Sequence, residues 1–234
     1  MKNIKITAFD DREALVSAAF AYTLGALQDA LGANQNAVLL GAGGSTPRPL
    51  YQQLSQADIN WANVTIGLTD ERWVPLTSQA SNEAMIRQAL IQNKAASAKL
   101  LSMVTDSARP AHQEISSVNA TYAQAVDNCA VMILGMGPDA HTLSWFPDAD
   151  GLEAALDPAN PGAVAAISAK QSPVTGQHTE RMTLTLSAVA KARRVLLLIT
   201  GNEKRDVLEA AGEDSPVGHM IGASEDRLSI YWAP

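Results

Sequence analysis

Three stretches of the chain are almost wholly apolar and stop at glycine: "AVLLGAGG" (37–44), "AVMILGMG" (130–137) and "VLLLITG" (195–201). Runs of this kind fit strands buried on both faces of a parallel sheet. "VTIGLTDERW" (64–73) begins the same way but ends in charge. "NIKITAF" (3–9) and "RLSIYW" (227–232) alternate apolar with polar positions, as half-exposed strands do.

Helical patterns lie between these strands. "DREALVSAAFAYTLGALQDAL" has acids in its first turn, and helical spacing puts Leu15, Ala18, Tyr22 and Gly25 on one face. "SNEAMIRQALIQN" opens with Ser81 as a predicted N-cap. "NEKRDVLEAAG" closes with Gly212 as a predicted stop. Strands alternating with helices predict a doubly wound α/β fold: a mostly parallel central sheet, helices on both faces (Rossmann-like) and some antiparallel edge strands. A single domain over residues 1–234 is expected. The polar stretch "SAKQSPVTGQHTER" (168–181) is long enough for a lid or a binding loop.

Composition narrows the partners. Seventeen Lys and Arg against twenty-four Asp and Glu give a net charge of −7, which argues against nucleic acid or an anionic membrane. The acids of "DDRE" interrupt any signal peptide, and no window is expected to approach the roughly 18 apolar residues of a membrane span. A soluble, cytoplasmic protein, more readily monomeric than oligomeric, is the expectation. Cys129, the one cysteine, sits in an apolar run and reads as a buried thiol rather than a nucleophile.

Ligands of open α/β sheets bind beyond the carboxyl ends of the strands. Here those ends are "GAGGSTP", "TDERWVP", "GMGPDAHT" and "TGNEK", and they should converge on one crevice. In the first, Gly43 and Gly44 let the backbone approach a ligand, and Ser45 or Thr46 could cap the helix suggested by "PRPLYQQL". A strand-to-helix turn that needs glycine only for its geometry explains the stretch equally well. Asp70, Glu71 and Arg72 follow an apolar strand; three consecutive charges favour a solvated loop, against which stands the match of an arginine fork to phosphate oxygens. His141 follows a glycine turn at a strand end, with Asp139 two residues earlier to orient its ring. A lone histidine is more often structural, and its position here shifts that balance. Arg181 and Lys204 read either as solvated charges or, with Arg72, as the cationic cluster an acidic protein needs to hold phosphate. No HExxH motif, paired cysteines or carboxylate–histidine ligand spacing is present, so no metal is implied. G-x-S-x-G is also absent, which argues against a Ser-His-Asp esterase.

Taken in order, "GGSTP", "TDERWVP", "SNEAM", "LGMGPDAHTLSWFP", "RMTLTL" and "TGNEK" resemble the 6-phosphogluconolactonases. The resemblance implies hydrolysis of 6-phospho-D-glucono-1,5-lactone to 6-phospho-D-gluconate in the oxidative pentose phosphate pathway, without metal or organic cofactor. It gives His141 the role of general base and Asp139 that of its partner. Gly43, Gly44, Ser45, Thr46, Asp70, Arg72, Arg181 and Lys204 then bind the sugar phosphate. Members typically read G-x-D-G-H-T-A-S-L-F-P at the histidine. This chain has Ala140, Leu143 and Trp145 at the departures from that pattern, and Ala42 where serine is common. If position 140 needs a positive φ, alanine there costs about 1 kcal/mol. Glucosamine-6-phosphate deaminases are similar across the same fold, but they typically carry D-E-Y and H-I-A-F-N-E-P where this chain has "DERW" and "HTLSWFP". A non-catalytic sugar-phosphate-binding module is the remaining alternative.

Overall fold

The structure, a computed structural model, describes residues 4–234. Asn3, the first position of the predicted N-terminal strand, lies outside the described residues. The main sheet consists of β1 (Ile6–Ala8), β2 (Ala37–Gly41), β3 (Val64–Leu68), β5 (Lys99–Leu100), β6 (Cys129–Leu134), β9 (Val195–Thr200) and β10 (Leu228–Ala233). All its pairings are parallel, in the order β1-β10-β9-β6-β2-β3-β5. Each apolar run quoted above supplies one strand, and β2, β6 and most of β9 are buried along their length. The Cys129 thiol is wholly buried at the start of β6, which pushes its pKa up to about 12.

The antiparallel strands are gathered into a separate sheet of three, β4 (Asp70–Arg72), β8 (Glu180–Leu184) and β7 (Val164–Ser168). The predicted segment 64–73 therefore feeds two sheets. Thr69, wholly buried, is the step between them: its N–H donates to Gly41 O (3.1 Å) and its carbonyl accepts from Leu184 N (2.9 Å). The predicted 168–181 loop is correspondingly shorter, because Ser168 closes β7 and Glu180 opens β8.

The helices are α1 (Arg12–Asn34), α2 (Arg48–Leu54), α3 (Asn82–Ala89), α4 (Ala111–Asp127), α5 (Leu152–Leu156), α6 (Leu186–Val189), α7 (Asn202–Ala210) and α8 (Pro216–Ser224). Two glycines show how they cover the main sheet. A Cβ on Gly41 would meet Tyr51 of α2, and one on Gly67 would meet Tyr122 of α4. Gly41 pairs with Leu68 and Leu40 with Gly67, so the two glycines face opposite sides, with α2 and α4 on opposite faces. Tyr51 donates to Ala42 O (2.8 Å); Tyr122 accepts from Leu68 N (3.0 Å) and donates to Leu101 O (3.1 Å). These paired hydroxyls tie both helices to the carboxyl ends of β2 and β3.

Three local expectations are corrected. The buried face of α1 runs through Leu15, Ala19, Thr23, Leu27 and Ala30, whereas Ala18, Tyr22 and Gly25 lie on its flank. Its alanine-rich sequence fits helical spacing in more than one rotation, and packing on the sheet selects one. Residues Arg12–Ala33 are also long and apolar enough to cross a membrane by length and composition, contrary to the expectation; a core helix passes the same test, and here α1 packs against β2, β6 and β10. Finally, α7 ends at the Ala211 cap, before Gly212, because Ala211 is already extended.

Candidate active site

The chain leaves β2 towards β3 on one side of the sheet, and β6 leads to β9 and β10 on the other. The switch point lies between β2 and β6, where open α/β sheets form their crevice. A cavity of about 540 Å³ opens there. It is lined from four strand ends: Gly43, Gly44, Ser45 and Thr46 after β2, Asp70 and Arg72 on β4, Gly137 and His141 after β6, and Lys204 after β9. Arg181 of β8 completes the wall. Every residue to which the resemblance gives a site role, except Asp139, thus lines one space.

Asp139 sits behind His141. Its Oδ1 is hydrogen-bonded to His141 Nδ1 and also accepts the His141 backbone N–H (3.2 Å). A carboxylate on Nδ1 favours the tautomer of a neutral ring with its proton there and leaves Nε2 unprotonated. Burial raises the Asp139 pKa, but the hydrogen bonds and charge of His141 outweigh it, and the carboxyl is held below its ordinary value. Gly137 makes room for this arrangement, since a Cβ on it would collide with the His141 ring and lie 2.8 Å from Asp139 Oδ1. Phe146 packs on the same ring, with centroids 4.4 Å apart and planes at 40°. Ala140 and Leu143 both have positive φ, 62° and 53°, so alanine does stand in the left-handed conformation on which the expected cost at position 140 depends.

Arg72 and Arg181 are directly paired across β4 and β8. Arg181 is only 4% exposed; its Nε donates to His178 O (2.6 Å) and a terminal nitrogen to Thr175 O (2.8 Å). The guanidinium therefore holds the β7–β8 connection while lying 5.4 Å from the Phe146 ring centroid. Arg72 gives one terminal nitrogen to Ala80 O (2.8 Å), and its buried Nε has no partner among the described residues. Burial, with Arg72 alongside, pulls the Arg181 pKa down to about 10 while Asp70 pulls the other way. Burial also lowers the Lys204 pKa, opposed by Glu203. Like charges facing across a strand pair disfavour each other, and an anion between them removes that cost.

Neither Ser45 nor Thr46 caps α2. The helix begins after Pro47, with no side-chain cap bond and with proline in its first turn. The proline ring presets the backbone there, so no hydroxyl is needed.

Two residues of the site were missed from sequence. Glu71, read as part of a solvated charge run, is 1% exposed. Its carboxylate accepts from Arg72 N (2.7 Å), Asn82 N (2.8 Å), Glu83 N (2.7 Å) and Ser81 Oγ (3.0 Å). It thereby clamps the start of α3, whose predicted N-cap Ser81 accepts from Ala84 N (3.1 Å). Burial raises the Glu71 pKa, with these four donors opposing. Asn82, held by that clamp, lines the cavity. Strand alternation applied to "DER" was the available signal for Glu71; the fixed position of "SNEAM" was the signal for Asn82.

The chain matches the family model described as glucosamine-6-phosphate isomerases/6-phosphogluconolactonase over residues 10–228. It is 35% identical over 234 residues to the 6-phosphogluconolactonase of Rhizobium meliloti (strain 1021), covering 97% of each chain. Against the 6-phosphogluconolactonase of Neisseria meningitidis serogroup B (strain ATCC BAA-335 / MC58), identity is 37% over 212 residues, covering 89% and 90%. The fold superposes on the crystal structure of a 6-phosphogluconolactonase from Shewanella baltica OS155 with a TM-score of 0.83 and 31% identity, covering 100% and 99%.

Proposed function

Because the chain belongs to the glucosamine-6-phosphate isomerase/6-phosphogluconolactonase family, we propose that it hydrolyses 6-phospho-D-glucono-1,5-lactone to 6-phospho-D-gluconate. The observation that carries this reading is His141, backed by Asp139, on the wall of the cavity that Arg72, Arg181 and Lys204 also line. The relatives named above, all 6-phosphogluconolactonases, support the same choice within the family.

In this reading the phosphate rests against the Gly43–Thr46 turn and is held by Arg72, Arg181 and Lys204. Charge-assisted contacts contribute about 1.5–3 kcal/mol each. His141 Nε2 takes a proton from water as the water oxygen attacks the lactone carbonyl carbon. The imidazolium, stabilised by Asp139, returns the proton to the ring oxygen as the C–O bond breaks. General-base help of this kind supplies on the order of 10²–10⁴-fold, a sufficient contribution for a δ-lactone that already hydrolyses spontaneously.

The test is acid release from fresh lactone, followed fast enough to subtract spontaneous opening, for the wild type and His141→Ala. The variant should lose most turnover while still binding 6-phosphogluconate. Wild-type turnover in that variant would remove His141 from the mechanism. Ammonia release from glucosamine 6-phosphate, with no acid release from the lactone, would instead place the chain on the isomerase side of its family.

A further inference from the structure

We propose that Asn82 is a specificity-determining residue whose Oδ1 accepts a hydrogen bond from a ligand hydroxyl, so that the cavity reads a phosphorylated polyol rather than phosphate alone. This deepens the lactonase reading and rests on it for the identity of the sugar.

The side chain is 4% exposed, and it lines the cavity. Its Nδ2 donates to Asp70 O (2.9 Å), which fixes the amide orientation, because the flipped amide would set two acceptors face to face. Oδ1 is left with no hydrogen bond among the described residues, yet it is not among their fully enclosed polar atoms. An acceptor on so deeply buried a side chain can meet a donor only from the cavity.

Placement is equally constrained. A Cβ on Gly43 would fall on the Asn82 amide, so the side chain occupies the notch that this glycine leaves. Glu71 holds the Asn82 backbone through its N–H (2.8 Å), and Asp70 holds the side chain. Asn82 is therefore fixed where the glycine turn, β4 and α3 meet.

Phosphate oxygens at neutral pH are chiefly acceptors, as is Oδ1, so phosphate does not satisfy this atom. A hydroxyl does. Asp70 provides a second acceptor on the same wall, its carboxylate accepting from Ser144 Oγ (2.7 Å) and, at 3.5 Å, from Thr69 Oγ1, with lone pairs to spare. A cationic cavity with two acceptors beside it suits an anion that carries hydroxyl groups close by.

The experiment compares two ligands of equal length and charge type by calorimetry. 6-Phosphogluconate has hydroxyls along its chain; 6-phosphonooxyhexanoate has none. Asn82→Ala should weaken 6-phosphogluconate roughly five- to tenfold, the value of one lost hydrogen bond to a neutral group. Affinity for the hydroxyl-free ligand and for inorganic phosphate should stay within about twofold, within the error of such bookkeeping. Asn82→Ser, which retains a small polar group too short to reach the same point, should show the same selective loss and serves if the alanine variant fails to fold. Equal weakening of all three ligands, or of none, overturns the proposal. Binding does not depend on turnover, so a wild type inactive on the lactone would refute the activity reading while this comparison still judged Asn82.

Discussion

Arg72 and Arg181 stand opposite each other on adjacent antiparallel strands, one half-buried and the other almost wholly enclosed. Without an anion that pairing costs stability. Inorganic phosphate should therefore raise the thermal midpoint, in proportion to the logarithm of its concentration once above its Kd. Arg72→Ala should abolish most of that rise. A variant stabilised by phosphate as strongly as the wild type would exclude Arg72 from the anion site.

Ala140 has a φ of 62°, a conformation in which an L side chain crowds its own carbonyl. Ala140→Gly relieves that crowding, and the greater freedom of glycine in the unfolded chain offsets part of the gain. Urea unfolding should show a net stabilisation of about 0.5–1 kcal/mol. A lower midpoint at unchanged slope would mean that the Ala140 methyl, which is buried, contributes more by packing than it costs by strain.

Asp139→Asn tests the carboxylate behind the imidazole. Its folded pKa lies below the ordinary value, so the folded state binds this proton less readily than the unfolded chain. The stabilisation is complete above the unfolded value of about 3.9 and is lost as pH falls through the folded one. The stability gap between wild type and variant should be constant near neutrality and close in acid. An amide that favours the wrong tautomer should also lower kcat by about tenfold or more, with KM little changed. A gap that widened in acid would contradict the depressed pKa.

Glu71→Gln keeps the shape of the side chain but turns one acceptor into a donor facing N–H groups of Asn82, Glu83 or Arg72. Leaving such a buried donor unsatisfied costs about 1–3 kcal/mol. The variant should lose that much in denaturant unfolding, and its KM should rise more than its kcat falls. Wild-type stability would show that the clamp on α3 is dispensable.

These effects sort the site into what the sequence exposes and what it hides. The convergence of Gly43, Arg72, His141 and Lys204 was legible because each follows an apolar run, and parallel strands bring their carboxyl ends together. The Asp139–His141 pair was legible from its spacing. Glu71 was not, because consecutive charges look the same whether they meet water or a helix start; its four donors come from neighbours and from α3, ten or more residues on. The Pro47 cap of α2 was hidden by hydroxyls that ordinarily do that work. The face of α1 was hidden by its alanines, which only the sheet beneath could sort. The departure of β4 to a second sheet depends on its pairing with β8, more than a hundred residues away in sequence, and no local pattern carries that information.

Thr69 is a single wholly enclosed residue bonded to Gly41 on one side and to Leu184 on the other. The arginine-bearing strands and the glycine-ended strands are consequently jaws joined through this one residue. Such a gauge has one gap and measures the span of whatever enters it. With both Thr69 bonds intact, a change in that span falls first to the side chains on the jaws.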